Sequence, residues 1–180
     1  MRKTTLSILL LITSIEAKDF DFLLQVAYGT GGDTMVKRSG SDIHAGDGLE
    51  TAVGIAFNPF ELNMLDTTLT VGYSSSGSFL DDNYKVSKIP ITLSEYYTYQ
   101  EDWRFGAGIT YHTSHKGDGA STDLPDLDVD DALGTLFSIG YLFGKEKKIQ
   151  VALQVTLIDY KAEGMSWSGN RLALMLESRY

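Results

Sequence analysis

Apolar residues alternate with polar or small residues along most of this chain. In the run FDFLLQVAYG, Phe20, Phe22, Leu24, Val26 and Tyr28 occupy every second position. Because successive side chains of a β-strand point to opposite faces, this pattern predicts a strand with one apolar face. No window keeps the spacing of an amphipathic helix for three turns. One all-β domain of eight strands is therefore predicted, with the other seven strands in LETAVGIAFN, LDTTLTVGYS, SKIPITLSEYYTYQ, WRFGAGITYH, LGTLFSIGYLFG, KIQVALQVTLIDY and RLALMLESRY.

The connections between the predicted strands alternate between long and short. Long polar segments follow the first, third, fifth and seventh strands, at about residues 30–48, 74–87, 113–131 and 161–169. The intervening links NPFELNM, QED and GKEKK are shorter. This alternation is typical of an antiparallel up-and-down transmembrane β-barrel, which has long outer loops and short periplasmic turns. The glycine-rich stretches AYGTGGD and SGSDIHAGDG are expected to be loops rather than phosphate sites, because no helix follows either of them.

The polar faces of the strands indicate which side of the barrel is inside. A soluble carrier of the lipocalin kind is apolar inside, whereas a membrane barrel is apolar outside. A face exposed to water is normally rich in Lys and Glu, but here small residues and amides predominate. Such side chains suit the narrow bore of an eight-stranded barrel. They are Gln25, Ala52, Gly54, Thr68, Thr70, Gly72, Gly106, Gly108, Thr110, Ser138, Gly140, Gln150, Gln154 and Thr156.

Aromatic residues gather at the ends of the apolar rows. General β-propensity favours aromatic residues anywhere in a strand, but it does not explain a preference for strand ends. Two belts at the lipid–water boundaries would produce this distribution. The predicted girdle consists of Tyr28, Phe57, Tyr73, Trp103, Tyr111, Tyr141, Phe143 and Tyr180, with Phe20 and Phe22 beside it.

Several charged residues fall on the polar faces and are therefore predicted to project into the bore. Buried charges persist when they are paired, so we expect an ionic network near the periplasmic end. Its predicted members are Asp21, Asp66, Arg104, Glu177 and Arg179, with Lys88 and Arg171 as further bore residues. Glu95 is the exception, because it falls on the apolar row of its strand. A carboxylate in mid-membrane is costly, so we expect a bulge or an early end of the membrane-facing stretch there.

Composition narrows the class of protein. The segment MRKTTLSILLLITSIEA has the charged start and short apolar stretch of a secretory signal, so residues 1–17 are predicted to be a signal peptide and residues 18–180 the barrel domain. The alternative is an ordinary buried strand at the N-terminus. The absence of cysteine excludes disulfides and thiol chemistry. The net charge of −9 argues against nucleic acid as a partner.

The chain from residue 18 onward resembles the small eight-stranded outer-membrane proteins of Gram-negative bacteria, a class that includes the OmpA transmembrane domain, OmpX and OmpW. WRFGAGITYH in particular resembles a stretch of outer-membrane barrels of marine γ-proteobacteria. Barrels of this class typically end on an aromatic residue, as at Tyr180, in a strand read by the assembly machinery; Ser178 departs from the usual large apolar residue.

The resemblance implies an outer-membrane location, contact with lipid and lipopolysaccharide, and no catalytic cofactor. We expect a monomer with a passive structural, surface-interaction or narrow porin-like role. Two alternatives remain open. An OmpW-like conduit for small apolar compounds requires an apolar stretch of bore beneath the outer loops, whereas Thr, Gln and Gly predominate here.

The second alternative is a lipid A deacylase. Some small outer-membrane barrels carry a His-x-Ser pair with a downstream acid, which together form a hydrolase triad. His112 and Ser114 have that spacing, and Asp126 or Asp128 could supply the acid. However, Tyr111 lies on the lipid-facing row, so its neighbour His112 is predicted to point towards the bore or a loop. A nucleophile that attacks a membrane lipid should face the lipid.

An acidic run in the third long segment is a weak metal candidate. Alternating carboxylates can bind a hard cation such as Ca²⁺, but the glycine and final glutamate of an EF-hand loop are missing. We expect a solvated acidic loop, or divalent cations that bridge it to lipopolysaccharide phosphates, rather than a defined site. Asp126, Asp128 and Asp130 are the candidate ligands, within the set Asp118, Asp123, Asp126, Asp128, Asp130 and Asp131.

Overall fold

The computed structural model describes residues 20–36, 42–59, 64–76, 85–118, 127–162 and 164–180. The predicted signal peptide, residues 1–17, lies outside these ranges. In the described residues there is no helix with the length and apolar character needed to cross a membrane. The strands are β1 (Phe20–Thr30), β2 (Thr34–Val36), β3 (Ile43–His44), β4 (Gly48–Phe57), β5 (Leu65–Ser76), β6 (Lys85–Tyr99), β7 (Trp103–Asp118), β8 (Leu127–Val129), β9 (Ala132–Phe143), β10 (Ile149–Ala162), β11 (Met165–Ser168) and β12 (Arg171–Arg179).

Eight long strands form a closed antiparallel barrel. They pair in the order β1, β4, β5, β6, β7, β9, β10 and β12, so each strand lies beside its neighbour in the chain. The barrel closes where β1 pairs with β12, with Leu24 opposite Ser178 and Tyr28 opposite Leu174. Each long strand covers one of the eight predicted runs. The prediction of an eight-stranded up-and-down barrel is confirmed.

The apolar rows of the barrel face outward. Along β12 the exposed side chains are leucines, and Leu174 is 58% exposed. Its neighbour Met175 is 2% exposed and lies inside. All the small and amide residues predicted to line the bore are buried or half-buried. The interior is therefore polar and the exterior apolar, the reverse of a soluble barrel.

The long segments at one end of the barrel contain more strand than the sequence predicted. The run that was expected to end at His112 continues as β7 to Asp118, where it pairs with β6 and with β8. The last long segment contains β11, which forms a hairpin with β10. Polar sequence there does not break the strands, because continued pairing satisfies their backbone N–H and C=O groups. The expectation of simple loops was wrong at these places.

Part of the first long segment covers this end of the barrel. We call residues 31–36 and 42–47 the lid, and the covered end the long-loop end. Ala45 of the lid is buried in an apolar cluster with Val129, Ala132, Ile158 and Tyr160, and Trp167 packs against it. The two glycine-rich stretches therefore belong to a packed cover over the mouth, in the part of the loop that the structure describes.

The bulge that was one of two expectations at Glu95 is absent. β6 runs without a register shift from Ile89 to Tyr99, and Glu95 lies opposite Thr67 and Ala107. The Thr67 hydroxyl donates a hydrogen bond of 2.6 Å to the Glu95 carboxylate. The irregularity of β6 lies between Ser87 and Ile89 instead. Glu95 is tolerated on the outer face because it has a hydrogen-bond partner and lies one outward position from Tyr97, near the short-turn end.

Candidate functional site

Four of the predicted network residues meet inside the barrel near its short-turn end. Arg104 donates to the Asp66 carboxylate at 2.6 Å and to the Glu177 carboxylate at 2.8 Å. Arg179 donates to Glu177 at 3.0 Å and to both Asp66 oxygens at 3.2 Å. Arg104 is 0% exposed and Glu177 1%. We call these four side chains the Arg104 layer; its two cations and two anions balance.

Neutral groups complete the Arg104 layer. Gln150 accepts a hydrogen bond of 2.5 Å from Arg104, and Gln25 donates one of 2.7 Å to Glu177. The Arg104 guanidinium lies 3.7 Å from the centre of the Tyr96 ring, a cation–π distance. Buried charges are tolerated when their remaining donors and acceptors are satisfied, and these neighbours satisfy several of them.

Asp21 does not join the layer. It lies opposite Ala56, beyond Leu23 on the same strand and closer to the rim at the short-turn end. Its carboxylate makes no ion pair with a described residue, whereas Asp66 reaches both arginines. The sequence reasoning included Asp21 because it has the correct strand face; the position along the barrel axis, which depends on the stagger of the strands, removes it.

A second group of polar and charged residues lies below the lid. Arg171 donates to the Glu50 carboxylate at 2.5 Å, and it also reaches the Gly48 carbonyl at 3.4 Å. Lys88 is buried and donates to the Tyr160 hydroxyl at 3.0 Å and to the Ala45 carbonyl of the lid at 3.3 Å. His112 Nδ1 lies 2.6 Å from the same hydroxyl. We call the five side chains the Lys88 cluster: Glu50, Lys88, His112, Tyr160 and Arg171.

Small cavities remain in the interior, and two of them are lined by described residues. One lies between the Arg104 layer and Glu50 and is lined largely by Thr68, Thr70, Thr92 and Ser94; the other lies beside the Lys88 cluster. Each has a volume of ≈ 10 Å³, which holds about one water molecule. Neither cavity has room for a larger solute.

Glycines make room for the long interior side chains. A Cβ at Gly29 would lie 2.0 Å from Nε of Arg171, and a Cβ at Gly106 would lie 2.5 Å from the Tyr96 ring. The same relation holds for Gly140 with Gln150 and for Gly169 with Tyr160. Each long side chain thus passes over a neighbouring stretch of backbone that has no side chain at that point.

The predicted aromatic residues lie on the outer surface at two levels. Tyr28, Tyr73 and Tyr111 lie towards the long-loop end and are exposed. Trp103, Tyr141 and Phe143 pack edge to face at the other end, with ring centres 5.4 Å and 4.9 Å apart. There Phe57 and Tyr141 are half-buried, and Tyr180 is exposed.

The catalytic candidates are not assembled in the described part of the chain. His112 is buried inside the barrel and contacts Tyr160, as the strand alternation predicted. Ser114 lies in β7, but its side chain falls outside the described set, as does the whole of Asp126. Among the described residues no group of three or more His, Asp or Glu could hold a metal ion. Asp130 is exposed, and the side chain of Asp128 is not described.

At the short-turn end, an ionic contact joins two turns. Lys147 donates to the Asp102 carboxylate, which also accepts a hydrogen bond of 3.1 Å from Tyr141. The hydrogen bond from Lys147 holds the pKa of Asp102 below its ordinary value and raises the pKa of Lys147. This contact lies outside the strands and connects the turn after β6 with the turn after β9.

Sequence reasoning missed several interior and surface residues. Glu50, Tyr96 and Tyr160 were not assigned to the bore, although each continues a row of buried positions in its strand. Tyr97 and Tyr99 are exposed and extend the aromatic belt at the short-turn end. The signal was present in the alternation of EYYTYQ, but the carboxylate of Glu95 indicated a bulge or an early end of the membrane-facing stretch.

Comparison with known proteins supports the fold. No family model matches the sequence, and no curated protein matches it. Among solved structures, Neisserial surface protein A (NspA) is similar with a TM-score of 0.57 and 11% identity, over 89% of this chain and 97% of that one. Ail, the attachment invasion locus protein of Yersinia pestis, is similar with a TM-score of 0.51 and 7% identity, over 89% and 97%. This chain has the fold of the small eight-stranded outer-membrane β-barrels.

Proposed function

We propose that this chain is a bacterial outer-membrane protein with a closed bore and a passive role, either structural or as a surface for interactions at its long-loop end. The observation that supports this most directly is the division of side chains between the two faces. Leu153, Leu174 and Phe137 are more than half exposed, whereas Arg104 is fully buried. Exposed apolar area costs about 25 cal/mol per Å² in water, and the hydrocarbon of a bilayer removes that cost.

The proposed partners follow from this location. Lipid contacts the apolar rows, and lipopolysaccharide contacts the long-loop end, where exposed Asp130, Asp131 and Asp159 would bind its phosphates through divalent cations. The assembly machinery would read β12 and Tyr180. We propose a monomer, because the closed barrel leaves β1 and β12 paired with each other rather than with a second copy.

The closed bore favours a passive role over a porin-like one. The Arg104 layer fills the short-turn half, the Lys88 cluster lies in the other half, and the lid covers the mouth. The cavities between them hold about one water molecule each. A solute pathway would require at least one of these groups to move.

The two other functions have less support. A conduit for apolar compounds needs an open apolar stretch below the outer loops, whereas the cluster around Ile158 and Val129 is packed and the cavities are lined mainly by polar side chains. A lipid hydrolase needs a nucleophile and a base that face lipid, whereas His112 is buried inside the barrel.

The experiment is to express the full chain in a Gram-negative host and, separately, to refold residues 18–180 in lipid. We expect the protein in the outer-membrane fraction, a difference in gel mobility between unboiled and boiled samples, and no steps in planar-bilayer conductance. Recovery as a soluble periplasmic protein would contradict the membrane location. Discrete conductance steps would replace the closed barrel with a narrow porin.

A further inference from the structure

The lid is bonded internally more extensively than it is bonded to the barrel. Within it and at its base, Ala45 N donates to the Asp33 carbonyl at 2.9 Å and Gly46 N to the Gly31 carbonyl at 2.9 Å. Gly31 N donates to the Asp47 carboxylate at 3.0 Å, and the Thr30 hydroxyl, at the end of β1, donates to the same carboxylate at 2.8 Å and ties the base of the lid to the barrel. These bonds hold the two ends of the segment to each other, so it can move as one body.

Few polar bonds seat the lid on the barrel. Asp33 N donates to the Ser168 carbonyl at 2.7 Å, and Ser168 N donates to the Asp33 carboxylate at 2.7 Å. Lys88 donates to the Ala45 carbonyl from below. The small apolar side chain of Ala45 completes the seat.

Glycines lie at both ends of the lid. Gly31 and Gly32 have φ of 133° and 82°, and Gly48 has φ of 129°, a region that other residues rarely adopt. Positions with this freedom are suited to absorb a hinge rotation. At Gly32 a Cβ would also lie 2.6 Å from the Ser168 carbonyl, so glycine permits the close seat as well as the hinge.

The balance of charge in the Lys88 cluster depends on the lid. With the lid seated, the Lys88 ammonium donates to the Ala45 carbonyl, and the carboxylate of Asp47 lies close enough to act on it electrostatically. Once the lid lifts, Lys88 and Arg171 remain with one carboxylate, that of Glu50. Arg171 Nε is buried next to the cavity beside the Lys88 cluster, and it has no hydrogen-bond partner in the part of the chain that the structure describes.

We propose that the lid opens about these glycines and uncovers a binding chamber for a small anion, held by Lys88 and Arg171. The Arg104 layer forms the floor of this chamber, so lid opening admits the anion without a path across the barrel. The proposal rests on the closed bore of the proposed function but not on its location in a membrane.

The test uses the absence of cysteine from the chain. Thr156 lines the cavity beside the Lys88 cluster and is 5% exposed, so Thr156→Cys gives one thiol below the lid. Its rate of modification is measured on the refolded barrel with two thiosulfonate reagents of similar size, one bearing a sulfonate and one a quaternary ammonium. Each variant is first checked for the mobility shift between unboiled and boiled samples.

A substitution that weakens the contacts between the lid and the barrel should raise the rate of thiol modification, and a crosslink that fixes the lid should lower that rate. Asp33→Ala loses a charge-assisted hydrogen bond, and we expect about tenfold faster modification. The control is Glu146→Ala, which removes an exposed acid at the short-turn end, away from the lid. Oxidised Asp33→Cys/Ser168→Cys joins the lid to the barrel, and modification should fall below the rate for Thr156→Cys alone. Equal rates of modification in the crosslinked and uncrosslinked proteins would contradict the proposed opening of the lid.

The preference of the chamber for anions over cations is tested separately. In Asp33→Ala the sulfonate reagent should react faster than the ammonium reagent, and inorganic phosphate should slow both. Adding Lys88→Met should keep the lid open and abolish the preference for the sulfonate. Faster reaction of the ammonium reagent would overturn the anion chamber while leaving the moving lid. Conductance steps in the wild-type protein would instead overturn the closed bore of the proposed function.

Discussion

At the scale of single residues, Arg104 shows how the interior tolerates charge. It donates hydrogen bonds to Asp66, Gln150 and Glu177 and stacks on Tyr96. A carboxylate that loses donors in such a place is costly, because burial prevents water from replacing the lost bonds. The stability of the barrel should therefore depend more on this arginine than on any exposed charge.

Arg104→Met should lower the free energy of unfolding by about 3–5 kcal/mol, since it leaves Glu177 with fewer donors. Urea unfolding in lipid vesicles measures the change. The double variant Arg104→Met/Glu177→Gln should recover part of the loss, because Arg179 can then pair with Asp66 alone. Lys145→Met, at an exposed turn position, is the control and should change the stability by less than about 0.5 kcal/mol.

Gly106→Ala should destabilise the barrel by about 1–3 kcal/mol through overpacking. The new Cβ would lie 2.4 Å from the Ser138 hydroxyl and 2.5 Å from the Tyr96 ring. The matched control is Ala107→Val on the next, outward-facing position of β7. The same unfolding measurement applies, and an equal effect of the two substitutions would show that the glycine is not required for packing.

At the scale of the strands, a bilayer would make the cost of a charge on the outward rows depend on its depth. Leu153 lies in the middle of β10, opposite Ile139 and Leu174. Leu133 lies at the long-loop end of β9, opposite Tyr111 of the aromatic belt. Both are exposed, so in water a charge would be tolerated equally at either position.

Leu153→Arg should cost about 2–4 kcal/mol, and Leu133→Arg about 0–1 kcal/mol, because the penalty for a cation falls towards the interface. Reversible unfolding from lipid vesicles gives both values. Two small and equal effects would indicate that these rows face water and would remove the main support for the membrane location.

The turns at the short-turn end carry a pH dependence of their own. Since the folded state lowers the pKa of Asp102 from its ordinary value of 3.8, the contact with Lys147 contributes stability above that pH. The contribution is lost as the pH falls through the lowered pKa. An NMR titration of Asp102 should therefore have a midpoint below 3.8, and Lys147→Met should move the midpoint back towards 3.8. Lys145→Met should leave it in place.

At the scale of the whole molecule, two closures stand in series along the bore. The lid and the Lys88 cluster close the long-loop half, and the Arg104 layer closes the other half. The cavity between them is in contact with both groups, since Glu50 and Tyr96 line it. Either closure by itself can therefore stop a solute while the other is open.

Opening one closure should therefore leave the barrel silent in planar bilayers, and opening both should produce conductance steps. The first closure is opened with Asp33→Ala/Lys88→Met, and the second is removed with Asp66→Ala/Arg104→Ala/Glu177→Ala/Arg179→Ala, which takes out two cations and two anions together. The combined variant is expected to show steps that neither parent shows. Steps from the lid variant alone would mean that the Arg104 layer does not seal the bore.

Much of this architecture could be predicted from the sequence because it depends on a local period. Alternation of side chains along RLALMLESRY assigns Leu174 to one face and Met175 to the other without knowledge of any neighbour. The same local rule predicted the eight strands and the burial of Arg104. It failed at β8 and β11, which are three and four residues long, because so short a run shows no period and its pairing depends on a neighbouring strand.

The sequence by itself determined the number of strands, their apolar faces and which charges point inward, since each depends on residues two positions apart. The tertiary structure decided which charges meet. Asp21 and Asp66 both face the bore, but only Asp66 lies at the height of Arg104, because the stagger between strands sets that height. It also decided that Lys88 reaches a carbonyl of the lid, 43 residues away in the chain. Such contacts arise from closure of the barrel, which no local pattern encodes.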